Sequence, residues 1–163
     1  ARHLIRTCKT QPGYLQSAYP ISNFAERSSG FYKAVRAAGM SSSRSIVHKL
    51  TPSMEGAYAD MMELIKNGEE LAPCYFADND LIAVGAIKAL KENGYRIPQD
   101  IGIVGFDNLP LGSVIEPALT TIHVPKQYMG EAAAQKLIDL LHTPGQPPTK
   151  TEVSTMLVKR GTV

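Results

Sequence analysis

YFADNDLIAVGAIKALKENGYRIPQDIGIVGFD, residues 75–107, reads as a complete strand, helix and strand. Pro73 to Ala77 is a short apolar run with aromatic character, and Ile101 to Phe106 is another, each bounded by turn formers, so both are expected to be buried parallel strands. Between them Leu81, Ile82, Ala86, Ile87, Ala89 and Leu90 recur at helical spacing. Gly94 stands where a helix C-terminal cap favours positive φ. A strand, helix, strand crossover makes the two strands parallel and brings both C-terminal ends to one edge of the sheet, the edge at which open α/β sheets bind ligands. That edge carries Asp78, Asn79 and Asp80 after the first strand, then Asp107 and Asn108 after the second. Carboxylates accept and amides both donate and accept, a set suited to a ligand covered in hydroxyls. The same spacing equally fits Asp78 or Asn79 capping the helix and Asp107-Asn108 making a turn.

Upstream, Ala1 to Cys8 reads as the tail of a helix, and Tyr14 to Ala18 as a short strand. Asn23 with Glu26 fits a capping box for a helix whose apolar face is Phe24, Phe31, Ala34, Val35 and Ala38. Ile46 to Leu50 is a strand, and Met54, Ala57, Tyr58, Met61, Met62, Leu64 and Ile65 trace a helix closing at Asn67-Gly68. Downstream, Leu109 to Pro117 reads as a loop and Leu119 to Val124 as a strand. Pro125 opens a helix with Met129, Ala133, Leu137, Leu140 and Leu141 on its apolar face, Thr143 to Lys150 is a loop, and Val153 to Val158 is the last strand. Alternation of this kind predicts an α/β fold with a mostly parallel sheet.

With 44% hydrophobic and 20% charged residues and a net charge of +2, the chain has a globular composition and no basic tract for a polyanion. Cys8 and Cys74 match neither a disulfide framework nor a zinc pattern, and the four histidines lack ligand spacing, so neither metal nor cofactor is expected. Phosphate-binding glycine loops, the G-x-S-x-G elbow and H-E-x-x-H are all missing, which argues against an enzyme. No apolar run is long enough to span a membrane and no signal segment opens the chain, so no membrane partner is expected.

Phe76-Ala77-Asp78-Asn79-Asp80 with Ala83 and Gly85, Pro98-Gln99-Asp100-Ile101, Gly105-Phe106-Asp107, and Pro117-Ala118-Leu119-Thr120-Thr121 together resemble the effector-binding core of the lactose/galactose repressor family. Arg27-Ser28-Ser29-Gly30-Phe31 is similar to that family's R-x-x-G-[FYW] helix start. The resemblance implies a periplasmic-binding-protein-like fold of two α/β lobes closing on a small effector of the sugar or nucleoside class. It implies one complete lobe here and an incomplete part of the second. Residues 1–12 would be the end of an N-terminal-lobe helix and a crossover, 13–118 the C-terminal effector-binding lobe, and 119–163 a crossover with returning N-terminal-lobe elements.

Carried over residue by residue, the resemblance makes Arg27, Asn79 and Asp107 the effector contacts and expects a cytoplasmic repressor. Operator DNA would be bound through a helix-turn-helix headpiece that this chain does not contain. Thr51 stands near where some members place a stacking aromatic, and Val124 where some place a polar contact. An exported sugar-binding transport receptor of the same fold is the alternative, followed by an enzyme acting on a sugar or nucleoside. On the helix after Asn79, Leu81 and Val84 fall outside the sheet-facing arc, on the side of Lys88, Lys91 and Glu92. Because members of the family commonly dimerise through this helix, a homodimer using Leu81 and Val84 is expected.

Overall fold

A computed structural model describes residues 1–143 and 145–163, so Pro144 of the expected Thr143 to Lys150 loop lies outside the described residues. Four strands, β1 (Gly13–Ser17), β2 (Val47–Leu50), β3 (Cys74–Ala77) and β4 (Gly102–Val104), form a sheet ordered β2-β1-β3-β4 with every neighbouring pair parallel. Side chains alternate across it with the period of an extended strand. Tyr14, Cys74, Phe76 and Val104 enter one core with Leu4, Phe31 and Val35. Leu15, Tyr75, Ala77 and Ile103 enter the other, with Leu50, Met61, Ile82 and Leu90. Helices α1 (Arg2–Cys8) and α2 (Ser22–Ala37) supply the first core, whereas α3 (Met54–Lys66) and α4 (Asp80–Glu92) supply the second. Burial on both faces explains why β3 and β4 read as continuous apolar runs, whereas edge strand β2 alternates exposed and buried residues.

Beyond β4 the chain forms a short helix α5 (Leu111–Val114) and then β5 (Thr121–His123). Isolated parallel bridges Val104–Thr120 and Asp107–His123 lay β5 beside the end of β4, and β5 pairs antiparallel with β6 (Met156–Val158). Between them runs α6 (Lys126–His142), whose Tyr128, Leu137 and Leu141 are exposed. No helix among the described residues is long and apolar enough to cross a membrane.

Four local expectations are corrected. Helix α2 begins at Ser22 with Ile21 in the cap position and no side-chain cap bond, so Asn23 and Glu26 do not form a capping box. Pro125 occupies the cap position of α6 rather than its first turn. The stretch Leu109 to Pro117 contains the helical turn α5, and Leu111 and Ile115 pack against the core. That packing bears on the fourth correction: Val84 is only 5% exposed, and Leu81 is half-buried. Helix α4 meets the sheet on one side and α3 on another, where a Cβ on Gly85 would lie 2.9 Å from the Tyr58 backbone nitrogen and 2.9 Å from Ala57 Cβ. A helix with several partners buries more than one arc.

Away from the ligand edge, His48 on β2 is 7% exposed, with Nε2 3.1 Å from the Tyr75 hydroxyl and 3.2 Å from the Glu70 carbonyl. Burial pushes its pKa below the usual histidine value. The unfolded chain therefore binds a proton near pH 6.5 that the fold resists, so this stability is present above that pH and lost as pH falls through it. Thermal unfolding is expected to move to lower temperature from pH 7.5 to 5.5, with a shallower slope in His48→Gln. The residual slope belongs to His3 and to the Ala1 amine, whose pKa values burial also lowers, the amine to about 6. An equal slope in the variant would remove His48 from the account.

Candidate functional site

The ends of β1, β3 and β4 meet the second turn of α2, and the charged groups there hold one another. Asp78 is fully buried: one carboxylate oxygen accepts the Tyr14 hydroxyl and the other the Ser17 N–H at 2.7 Å. Burial raises its pKa, opposed by the Ser17 N–H, the Tyr14 hydroxyl and the charge of Arg27. Asp78 is thus a clasp between the ends of β1 and β3, and it offers a ligand no free carboxylate oxygen.

Asn79 takes the capping role that its spacing allowed. Its Oδ1 accepts the Ile82 N–H at 2.8 Å from the cap position of α4, leaving Nδ2 without a partner among the described residues. Of the three residues named from sequence, Arg27 and Asp107 come into direct contact. Arg27 Nη2 donates to Asp107 Oδ1 at 3.3 Å, and Nη1 donates to the Asp78 carbonyl. The guanidinium carbon lies 3.9 Å from the Phe106 ring centroid and 5.2 Å from that of Phe24. Sandwiching a planar cation between two rings fixes its orientation, a service that a lysine ammonium would use less well. The side chains keep 14% and 23% exposure, so the pair is sheltered yet reachable. Burial raises the Asp107 pKa, and the charges of Arg27 and Lys126 work against that rise.

Asp107 and Asn108 have φ of 105° and 50°, left-handed values that cost side-chain-bearing residues about 1–3 kcal/mol each. Neighbours hold this turn. Lys126 Nζ donates to the Asp107 carbonyl at 2.6 Å, and Arg160 Nη2 to Asn108 Oδ1 at 2.8 Å. Asn108 Nδ2 is 3.2 Å from His123 Nδ1. Thr120 and Thr121 are fully buried and serve the frame: Thr120 Oγ1 accepts the Arg160 N–H at 2.9 Å, and Thr121 donates to Asp80. The roles of Phe106, Lys126 and Arg160 have no signature in spacing, because each is defined by a partner distant in the chain, whereas Phe24 meets Arg27 at i,i+3 on α2, a local signal that the sequence reading did not use. Thr51 is tied through its N–H to Asp60 at 2.6 Å.

On one side of Arg27 opens a hollow of about 470 Å³ walled by Phe31, Phe76, Phe106 and Ile122. No group of three or more His, Cys, Asp and Glu able to hold a metal occurs among the described residues. The arrangement is one of recognition: a forked donor beside an acceptor, net neutral, at the C-terminal edge of a parallel sheet.

The fold, a parallel sheet flanked by helices, is that of a periplasmic-binding-protein-like protein. The chain belongs to the periplasmic binding protein-like domain family, matched over residues 1–163, and its relatives are regulators of the LacI family. It is 33% identical over 162 residues to the HTH-type transcriptional repressor PurR of Klebsiella pneumoniae, covering 99% of this chain and 47% of that protein. The transcriptional regulator CelR in complex with cellobiose superposes with a TM-score of 0.89 at 26% identity, over 99% of this chain and 49% of that one. A LacI-family regulator from Enterococcus faecium with bound ribose gives 0.86 at 28% identity, over 99% and 59%. The chain spans about half the length of the curated relatives that cover 99% of it.

Proposed function

We propose that this chain is the effector-sensing core of a DNA-binding transcriptional repressor, taking a neutral sugar or nucleoside against Arg27 and Asp107. The observation that carries the reading is the Arg27–Asp107 pair, sheltered by Phe24 and Phe106 at the ligand edge of the sheet. Paired donor and acceptor match adjacent hydroxyls, whereas a charged ligand would meet one like charge in the pair. The bound cellobiose and ribose of the two regulators support the sugar class. Residues 13–118 would form one wall of the cleft, residues 1–12 and 119–163 its crossovers and part of the other. Effector would favour one lobe arrangement and so change the affinity of a DNA-binding headpiece for its operator in the cytoplasm, a population shift.

Thermal unfolding of the intact protein with cellobiose, ribose, lactose and nucleosides tests this. A ligand at a hundred times its Kd stabilises by about 2.7 kcal/mol. A shift with one of them is expected, and no shift with any sugar or nucleoside would overturn the reading.

A homodimer through α4 and α5 belongs to the same proposal. Val84 now lies at the floor of that face with Ile87, Leu111 and Ile115 around it, and Leu81 is half-buried. Val114 on α5 is 78% exposed and is the better probe, since Val84→Asp would unsettle the fold itself. Sedimentation of the intact protein is expected to show a dimer that Val114→Asp converts to monomer with an unchanged melting temperature. A wild-type monomer at tens of micromolar would defeat it.

A further inference from the structure

Asp80 is fully buried at the start of α4, and both of its carboxylate oxygens are engaged. Oδ2 accepts the Leu109 N–H at 2.7 Å, and Oδ1 accepts the Thr121 hydroxyl at 2.6 Å. Its own N–H donates to the Phe106 carbonyl at 2.8 Å. One residue therefore grips the chain on both sides of Asp107 and Asn108, the two residues held at positive φ. Through Thr121 it also reaches β5, which is tied to the same loop by the Asp107 N–H donating to the Ile122 carbonyl at 2.9 Å. Thr121 Oγ1 in addition lies 3.4 Å from the Asn108 N–H.

The helix does not need this carboxylate, because Asn79 already caps α4. Burying a carboxylate is costly without partners, and here every partner is the Asp107 loop or the strand beside it. Gly105 leaves room for it, since a Cβ there would collide with the Asp80 carboxylate.

We infer that Asp80 is the positioning residue of the ligand site: it holds the strained Asp107 turn against Arg27 and joins that turn to β5 through Thr121. The inference rests on the reading of Arg27 and Asp107 as the effector contacts, and its consequence is that occupancy at Asp107 is felt at β5.

Thr121→Val cuts the arm to β5 together with the 3.4 Å contact from the Asn108 N–H, and Thr121→Ser restores the hydroxyl. In the intact protein, Thr121→Val is expected to speed amide exchange at Leu109, whose N–H Asp80 and not Thr121 holds, about tenfold and to weaken the sugar that wild type binds, among cellobiose, ribose and lactose, by about as much. Thr121→Ser should return both values to within about twofold of wild type, which a general loss of packing would not allow. Wild-type exchange and affinity in Thr121→Val, or a serine variant that restores neither, would overturn the inference. If wild type binds none of the three sugars, the sugar reading falls, and the exchange at Leu109 alone decides whether Asp80 and Thr121 position the turn.

Discussion

Replacing Asp107 by alanine in the intact protein is expected to weaken effector binding by about 1.5–3 kcal/mol, the range for a hydrogen bond involving a charged group. That is roughly ten- to hundredfold in Kd. The effect should appear in binding and hardly in folding. Asp107 stands on a turn after β4 with 23% of its side chain exposed, and the turn is held by backbone contacts that alanine keeps, from Lys126 to the Asp107 carbonyl and from the Asp107 N–H to Ile122. Arg27 loses its ion-pair partner but retains the Asp78 carbonyl and the Phe106 ring. Calorimetry with the responding ligand, paired with thermal unfolding without it, separates the two effects. Unchanged affinity would remove Asp107 from the site.

The largest effect on folding is expected at Gly85. A Cβ there meets the Met54 carbonyl and the Tyr58 backbone nitrogen, neither of which can rotate aside as a side-chain end would. Helices α3 and α4 would have to separate along their whole contact. Overpacking a tight core commonly costs about 1–3 kcal/mol, and Gly85→Val, with two methyl groups beyond the Cβ, belongs at the upper end. For a chain of this size that lowers the melting temperature by roughly 6–12 °C. Gly30 on α2 is the control, since a Cβ there meets nothing within 4 Å. Gly30→Ala should be neutral or stabilising by up to about 1 kcal/mol, because alanine favours a helix over glycine. Equal destabilisation by the two substitutions would show that close packing at Gly85 is not the cause.

The order of strands and helices was legible because each core strand is apolar on both faces and each helix repeats at its own period. The polar residues at the strand ends were legible too, as a set. Their division of labour was not: Asn79 as cap and Asn79 as ligand contact call for the same side chain at the same place, and the Ile82 N–H at 2.8 Å shows the cap while leaving Nδ2 without a partner among the described residues. Arg27 and Asp107 were each named as effector contacts through the family resemblance, and their contact with each other was not foreseen, since nothing in an 80-residue separation announces it. Val84 was misplaced for a different reason. A helical wheel assumes one partner, the sheet, whereas α4 also packs on α3 across Gly85 and is covered by Leu111 and Ile115 from a stretch that two prolines made look like loop.

Strand β1 lies inside the sheet, between β2 and β3, although it comes first of the four in sequence. One edge of β1 can pair with β2 at Val47 to Leu50, but the other waits for β3, since Tyr14 pairs with Phe76 and the Tyr14 hydroxyl with Asp78, 64 positions later. Closing so long a loop is slow relative to forming local contacts. The Arg27–Asp107 pair, 80 positions apart, must wait longer still, so in a growing chain the helices and strands before Asp107 can form while the proposed effector contact is still incomplete.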